Sequence, residues 1–477
     1  MNQVLAFVQG GRADAARAAA WARRAFADPN SLLRRATTSL GWTVVAQGTQ
    51  MVTRLGSNLI LTWMLAPEAF GVMAAILMFH TALELVTDIG VKPAVVSNRF
   101  GSAPAFLRTA WTIKLGIQAA IAAVLLLVAV GLSALQSSVD LGQTIYADPD
   151  FPGLFAFAAL LPLLTGLEPA TVWLAMRKLV IQRVAKVQLL GNLLGATLLV
   201  TIVAIEPSAW TLLGGAIAST ALRMALMHAL IPGPRMRLRL HRRFAGEIWG
   251  FGKWLMLSSS FQFLALQGDR LVLSMLLDAR SFGIYAVARI WIDAFRKLLM
   301  MGNSVVRSSL AELVRKASPN TGTVFNRLIA SQTALFALTT LAILVLAPIV
   351  YPAVYPPDFA AVAPLLQALS FALLWQSFGT ANGLLLAHGD SRTLALELGL
   401  QGVVTVTGVY LAYEAFGLTG VLLAVALAPG VRWLVLLSVL PRYLPLPVKA
   451  YAGVVALFAV VTVGGILLGD FASALDP

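Results

Sequence analysis

Cysteine is missing from all 477 residues, which excludes disulfides, haem attachment through cysteine, thiolate metal sites and a cysteine nucleophile. Histidine is nearly missing as well. His80, His228, His241 and His388 are scattered, with no His-x-x-x-His or Glu-x-x-His spacing, so neither a catalytic metal nor another cofactor is expected. Charge is scarce: 12% of the residues are Asp, Glu, Lys or Arg, against about 25% in an ordinary soluble domain. The first 37 residues hold no apolar run long enough for a secretory h-region, and no cleaved signal is expected.

Apolar residues are what the chain has in plenty. They make up 59% of it, and the mean hydropathy is +0.82. Runs such as Ile117 to Leu135 are long enough for about 30 Å of hydrocarbon. Periodicity and turn signals predict an all-α polytopic membrane protein with thirteen spans, near 38–64, 69–90, 109–135, 151–176, 187–205, 210–231, 249–277, 282–306, 328–350, 362–387, 393–413, 417–440 and 450–469. The net charge of +14 is distributed by side. With the N-terminus cytoplasmic, inward segments collect Arg34, Arg35, Arg177, Lys178, Arg239, Arg242 and Arg243, whereas outward loops carry Glu68, Asp140, Asp148, Asp150, Asp278 and Asp358 against one basic residue, Arg280. This asymmetry follows the positive-inside rule and is no nucleic-acid patch; a multi-pass plasma-membrane protein is expected. Residues 1–37 form a basic cytoplasmic segment, in which 3–26 is either an amphipathic interfacial helix or a solvated tail.

An internal repeat is visible. At an offset of 212, residues 56–75 overlie 268–287, with Gly56/Gly268, Leu65/Leu277, Phe70/Phe282 and Gly71/Gly283 coinciding. At an offset of 209, Arg223 and Pro232 overlie Arg432 and Pro441. Six spans separate the copies, so the predicted architecture is two parallel six-helix lobes, 38–231 and 249–442, joined by the basic linker 232–248 and followed by an extra span in 443–477.

The stretch LILTWMLAPEAFGVMA from Leu59, followed by LVTDIGVKPAVVSN from Leu85, resembles the N-terminal pattern of the polysaccharide transporter family, the Wzx-like flippases of lipid-linked oligosaccharides. QGDRLVLSMLLDARSFGIYAVA from Gln267 is similar to the start of that family's second lobe, and the likeness extends over about residues 35 to 445. The superfamily also contains multidrug/toxin extrusion antiporters and lipid II flippases. The resemblance implies an exporter that moves an undecaprenyl-diphosphate-linked oligosaccharide across the bacterial inner membrane by alternating access, for exopolysaccharide, capsule or O-antigen synthesis. Its partners would be that lipid-linked glycan, membrane lipids and the polysaccharide polymerase machinery, and a monomer is expected.

Charged side chains inside the spans cost about 2.5 to 3.5 kcal/mol each when they face lipid, so they are expected to face a cavity or one another. Candidate ligands for a diphosphate headgroup are Arg54, Arg270, Arg289, Arg296 and Lys297, because guanidinium groups supply fork-shaped donors to phosphate. Candidate coupling or gating acids are Glu84, Glu168, Asp269 and Asp293, with H+ and Na+ both open as coupling ions. Bland readings stand beside these. Arg289 and Asp293 are four apart on one helix face and suit an intrahelical ion pair; Glu84 overlies Arg296 at offset 212 and suits an interlobe pair. Arg223, Arg432 and Lys114 lie near predicted cytoplasmic ends, where they would snorkel. Glu168 lies among Pro162, Gly166 and Pro169, which should break span four and line a cavity.

Rival functions fit less well. A cation-coupled drug antiporter calls for an acidic, aromatic pocket, yet basic residues in and beside the spans outnumber acidic ones. A lipid II flippase fits the same charges. A membrane glycan polymerase or ligase needs a large outward loop, and the longest predicted one runs only from about 136 to 150.

The topology is testable because the chain has no native cysteine. Cysteines placed at Ser137, Ser208 and Ser473 should react with an impermeant thiol reagent on intact cells, and one at Arg239 should not. Labelling at 239, or protection at 473, rejects the assignment.

Overall fold

The computed structural model describes residues 32–140, 142, 144–233, 237–301, 303–316, 319–444 and 448–469. The possible amphipathic helix at 3–26 lies outside these residues. No strand occurs among the described residues, so the protein is all-α there. The first half contains α1 (Leu32–Thr62), α2 (Pro67–Val86), the short α3 (Val91–Ser97), α4 (Pro104–Ser138), α5 (Phe151–Ala158), α6 (Leu160–Gly166), α7 (Thr171–Arg177), α8 (Gln182–Ile205) and α9 (Ala209–Leu230). The second contains α10 (Arg242–Leu276), α11 (Ala279–Met300), α12 (Asn303–Arg315), α13 (Thr321–Val354), α14 (Val362–Leu374), α15 (Gly379–Ala387), α16 (Ser391–Leu427), α17 (Gly430–Val439) and α18 (Val448–Gly469).

The element boundaries follow local chemistry. Pro67 and Pro104 open α2 and α4, where a missing N–H costs nothing. Ser208 and Thr211 form a capping box at the start of α9, and the Asp278 carboxylate accepts from the N–H groups of Arg280 and Ser281 at the start of α11. Gly417 adopts φ 56° and breaks α16 at the turn expected between spans eleven and twelve. Span four is broken as Pro162, Gly166 and Pro169 require: α5 and α6 meet α7 at a bend of 51°, with Glu168 in the break. One boundary differs from expectation. Span eight ends at Met300, and Asn303–Arg315 is a separate helix, because its polar and charged side chains suit an interface better than hydrocarbon.

Among the described residues, seven helical segments are long and apolar enough to cross a membrane, and the bent α5–α7, counted as one span, makes an eighth. Their outer faces expose Leu127, Val130, Leu338, Leu341 and Ile349, as lipid contact demands. The helices α1, α10 and α11 are also long but carry intramembrane charge. At 22 residues, α11 still reaches about 33 Å.

The repeat has a structural counterpart at the crossing of α2 and α11. A Cβ on Gly71 would lie 2.0 Å from the Ala279 carbonyl oxygen, and one on Gly283 would lie 1.9 Å from that of Pro67. Residue 67 plus 212 is 279 and 71 plus 212 is 283, so the contact is reciprocal, each glycine seating the backbone of the other copy. Nearby, Arg280 lies 3.5 Å from Glu68 and 3.3 Å from Asp358, tying three elements at this end of the bundle.

Because backbone would have to move to admit a side chain there, Gly71→Val and Gly283→Val should each destabilise the protein by about 1 to 3 kcal/mol. A lowered thermal midpoint in detergent is the readout. Gly56→Val, at a glycine with nothing within 4 Å, should leave it near the native value.

Candidate functional site

The repeat places Asp269 and Arg270 late in α10, and the packing of α11 beside it sets Tyr285, Arg289, Asp293 and Arg296 opposite them. These four share one face of α11 through their four- and three-residue spacing. The pairing crosses between the helices. Asp269 lies 3.0 Å from the Arg289 Nε and accepts from the Tyr285 hydroxyl, while Asp293 lies 2.8 Å from Arg270 and 3.1 Å from Arg296. Adjacent residues of α10 thus serve two separate pairs, since side chains one apart diverge by about 100°. Asp269 and Arg289 are buried, at 2% and 8% exposure. Arg289 also donates to the Leu266 carbonyl and Arg270 to the Gln267 amide oxygen.

Arg54 of α1 lies within electrostatic reach of Asp293 and Arg270, and Lys297 within reach of Arg54, Asp293 and Arg296. All five predicted headgroup ligands therefore gather with Asp269 and Asp293 in one region. Five cations meet two carboxylates, so a surplus of positive charge remains. Such a surplus in a low-dielectric setting favours a multiply charged anion bearing several oxygens.

Other candidates lie elsewhere. Glu84 accepts from the Gln118 amide at 3.1 Å, and Glu168 from Lys92 at 2.8 Å and from the Trp173 indole at 3.0 Å. Together with Lys114 and Arg223 they line a second cavity of about 270 Å³ in the first half. The interlobe Glu84–Arg296 pair is therefore not formed, because each side chain meets a partner in its own half first. Nor does Arg289 pair within its helix. An arginine preceding aspartate by four residues is the weaker orientation, and Asp269 is offered across the helix contact instead.

Snorkelling is likewise overturned for three residues. Lys114 and Arg223 face the second cavity, and Arg432, 7% exposed, forms an ion pair with the fully buried Glu397. Lys92, on α3, reaches back to Glu168. Two participants were not anticipated. Tyr285 was detectable by its spacing of four and eight from Arg289 and Asp293. The Glu397–Arg432 pair had only an offset of 35 residues to reveal it, which carries no periodic signal. Among the described residues no group of His, Cys, Asp and Glu is arranged to hold a metal ion.

Comparison with known proteins adds the following. Residues 60–355 match the model of a family described as polysaccharide biosynthesis protein. Among solved structures, the fold is similar to the lipid II flippase MurJ in an inward closed conformation, with a TM-score of 0.67 at 12% identity over 89% of this chain and 91% of that one. It is similar to an inward-facing multidrug resistance MATE family transporter of the MOP superfamily, with a TM-score of 0.62 at 14% identity over 85% and 96%. A third similar structure is a MOP superfamily transporter from Pyrococcus furiosus whose binding pocket is described as of reverse polarity, with a TM-score of 0.53 at 13% identity over 94% and 97%. At these identities the likeness is one of fold. No curated protein matches the chain.

The shared carboxylate of the α10–α11 cluster gives a stability test. Asp293→Asn strands Arg270 and Arg296 and should lower stability by about 3 kcal/mol, whereas Asp293→Asn combined with Arg270→Gln should be milder than the two single changes summed. Thermal unfolding in detergent measures both, and an Asp293→Asn protein as stable as the native one contradicts the pairing.

Proposed function

The chain belongs to the polysaccharide biosynthesis protein family, and we propose that it is a membrane flippase, not an enzyme, that carries an undecaprenyl-diphosphate-linked oligosaccharide from the inner to the outer leaflet of the bacterial plasma membrane. The observation that carries this reading is the surplus of cations where Arg54, Arg270, Arg289, Arg296 and Lys297 surround Asp269 and Asp293. A diphosphate leaving water needs such partners, and arginine meets it with two parallel N–H donors. The headgroup crosses within the protein while the polyprenyl tail stays in the bilayer. The crossing of α2 and α11 and the Arg280, Glu68 and Asp358 contacts lie at the end assigned as outward and hold the helices together there.

The two-lobe division at 38–231 and 249–442 is part of the proposal, supported by the reciprocal Gly71 and Gly283 contact. The cytoplasmic N-terminus and the inner-membrane location rest on the charge asymmetry of the loops. A drug antiporter is the weaker reading, because an organic cation meets net repulsion in this cluster. A lipid II flippase shares the charge argument, and the glycan carried separates the two. If transport is coupled to H+ or Na+, the coupling acid is among Glu84, Glu168, Asp269 and Asp293.

The test is flux of lipid-linked glycan in cells lacking the native protein and in reconstituted vesicles. Arg270→Ala and Arg296→Ala should abolish it with glycan accumulating on the cytoplasmic leaflet, Arg270→Lys should keep only a small fraction, and Lys297→Arg should remain active. Full flux in a correctly inserted Asp293→Asn and Arg296→Gln double variant removes Arg296 as a headgroup ligand.

A further inference from the structure

The two halves differ at one pair of equivalent positions. The offset of 209 that overlies Arg223 on Arg432 also carries Gln182, where α8 begins, onto Ser391, where α16 begins, and Leu230, where α9 ends, onto Val439, where α17 ends. Under it, Gln188 corresponds to Glu397 and Asn192 to Gln401. In the second half Glu397 and Arg432 form an ion pair, with side chains 0% and 8% exposed, and the charges cancel internally. In the first half the carboxylate is replaced by an amide. Arg223 forms no ion pair within 4 Å among the described residues, and its buried Nε has no hydrogen-bond partner. Gly191 lets the stem of Arg223 lie against α8, so the guanidinium is held in place, with Glu168, itself paired with Lys92, the carboxylate within its electrostatic reach.

Space replaces the missing acid. The cavity that Arg223 shares with Gln188 and Asn192 measures about 270 Å³, whereas the void beside Gln401 in the second half measures about 30 Å³, room for a water or two. Both carboxylates of the larger cavity are already engaged, Glu168 by Lys92 and Trp173 and Glu84 by Gln118. Lys114 on its wall forms no ion pair within 4 Å among the described residues. The remaining polar groups are the Thr165 hydroxyl, which donates to the Pro162 carbonyl, and the amides of Gln50, Gln188 and Asn192, each able to donate and accept. Lys92, Lys114 and Arg223 against Glu84 and Glu168 leave one positive charge in surplus, which selects a single negative charge; three amides in a pocket near the lower end of the small-molecule range, about 300 Å³, select hydroxyls around it.

We propose that this cavity binds a carboxylated sugar of the transported glycan, with Arg223 taking the carboxylate, Lys114 adding charge and the three amides holding hydroxyls. The inference rests on the flippase reading for its source of sugar, and it places a glycan-recognition site apart from the α10–α11 cluster. A free inorganic anion would need no amides, and a neutral sugar would leave the surplus positive charge of the cavity unmet.

The experiment titrates the purified full-length protein in detergent with methyl glucuronide, following tryptophan fluorescence, since Trp173 donates to Glu168 on the cavity wall. Saturable binding is expected, with methyl glucoside at least about tenfold weaker. Arg223→Gln and Gln188→Glu should each weaken methyl glucuronide by about tenfold or more. Gln188→Glu recreates the pair present in the second half and should leave the thermal midpoint unchanged or raised, so loss of binding in that variant is not loss of fold. The proposal is overturned if the glucoside binds as well as the glucuronide, if phosphate or chloride alone competes at equal concentration, or if folded Gln188→Glu keeps native affinity. Arg270→Ala should bind the glucuronide normally. Native protein that binds it yet flips no lipid-linked glycan defeats the flippase reading and leaves the site; protein that flips glycan yet binds no glucuronide defeats only the site.

Discussion

A charge within the hydrocarbon layer has to be met by an opposite charge, a hydrogen-bonding partner or water, and most of the interior of this protein is arranged around that requirement. The helices α10 and α11 carry Asp269, Arg270, Arg289, Asp293 and Arg296 and would be costly in lipid singly; packed together, each carboxylate satisfies at least one guanidinium of the same cluster. The same rule accounts for the fully buried Glu397 against Arg432 and for Glu168 in the broken span, where backbone freed by the bend lies at a polar cavity. Where the rule is left incomplete, positive charge remains: at Arg54 and Lys297 beside the α10–α11 cluster, and at Arg223 in the first half. Ion pairs of this kind are weak sources of stability because desolvation offsets most of the attraction. Their incompleteness is therefore more informative about ligands than their presence is about folding.

Much of this was legible in the sequence wherever the signal was periodic or positional. Helix ends follow Pro67, Pro104, Ser208 and Asp278; the breaks follow Gly417 and the Pro162 to Pro169 cluster. The repeated Phe-Gly of residues 70–71 and 282–283 marked a real crossing. The gathering of the five cations in one region was not legible, because their positions along the helices spread them over both halves of the bilayer. Partner choice was not legible. Glu84 and Arg296 correspond in the repeat, yet correspondence sets depth and not rotation about the helix axis, and a helix that is apolar on nearly every side gives no moment from which rotation can be read. Arg432 was assigned to the surface from its distance to a helix end, which says nothing of the acid that α16 brings to it.

At positions matched by the two offsets, the sequence differs in charge. Glu84 stands where the second half has Arg296, and Gln188 where it has Glu397. Each exchange alters whether a cation is cancelled within the protein or left to its surroundings. Matched positions can thus differ, Glu397 and Arg432 filling theirs with an ion pair while Gln188 and Arg223 border open space.

The contact between Gly71 and Gly283 is backbone against backbone, with no side chain interposed. No side chain projects from either glycine into that contact, so the two backbones set the separation of α2 and α11 there. Asp293 lies ten residues along α11 from Gly283, about 15 Å away, and a 20° turn about the glycines sweeps it through about 5 Å. The cationic cluster therefore lies where a small change in the angle between the two helices would become a displacement of several ångströms.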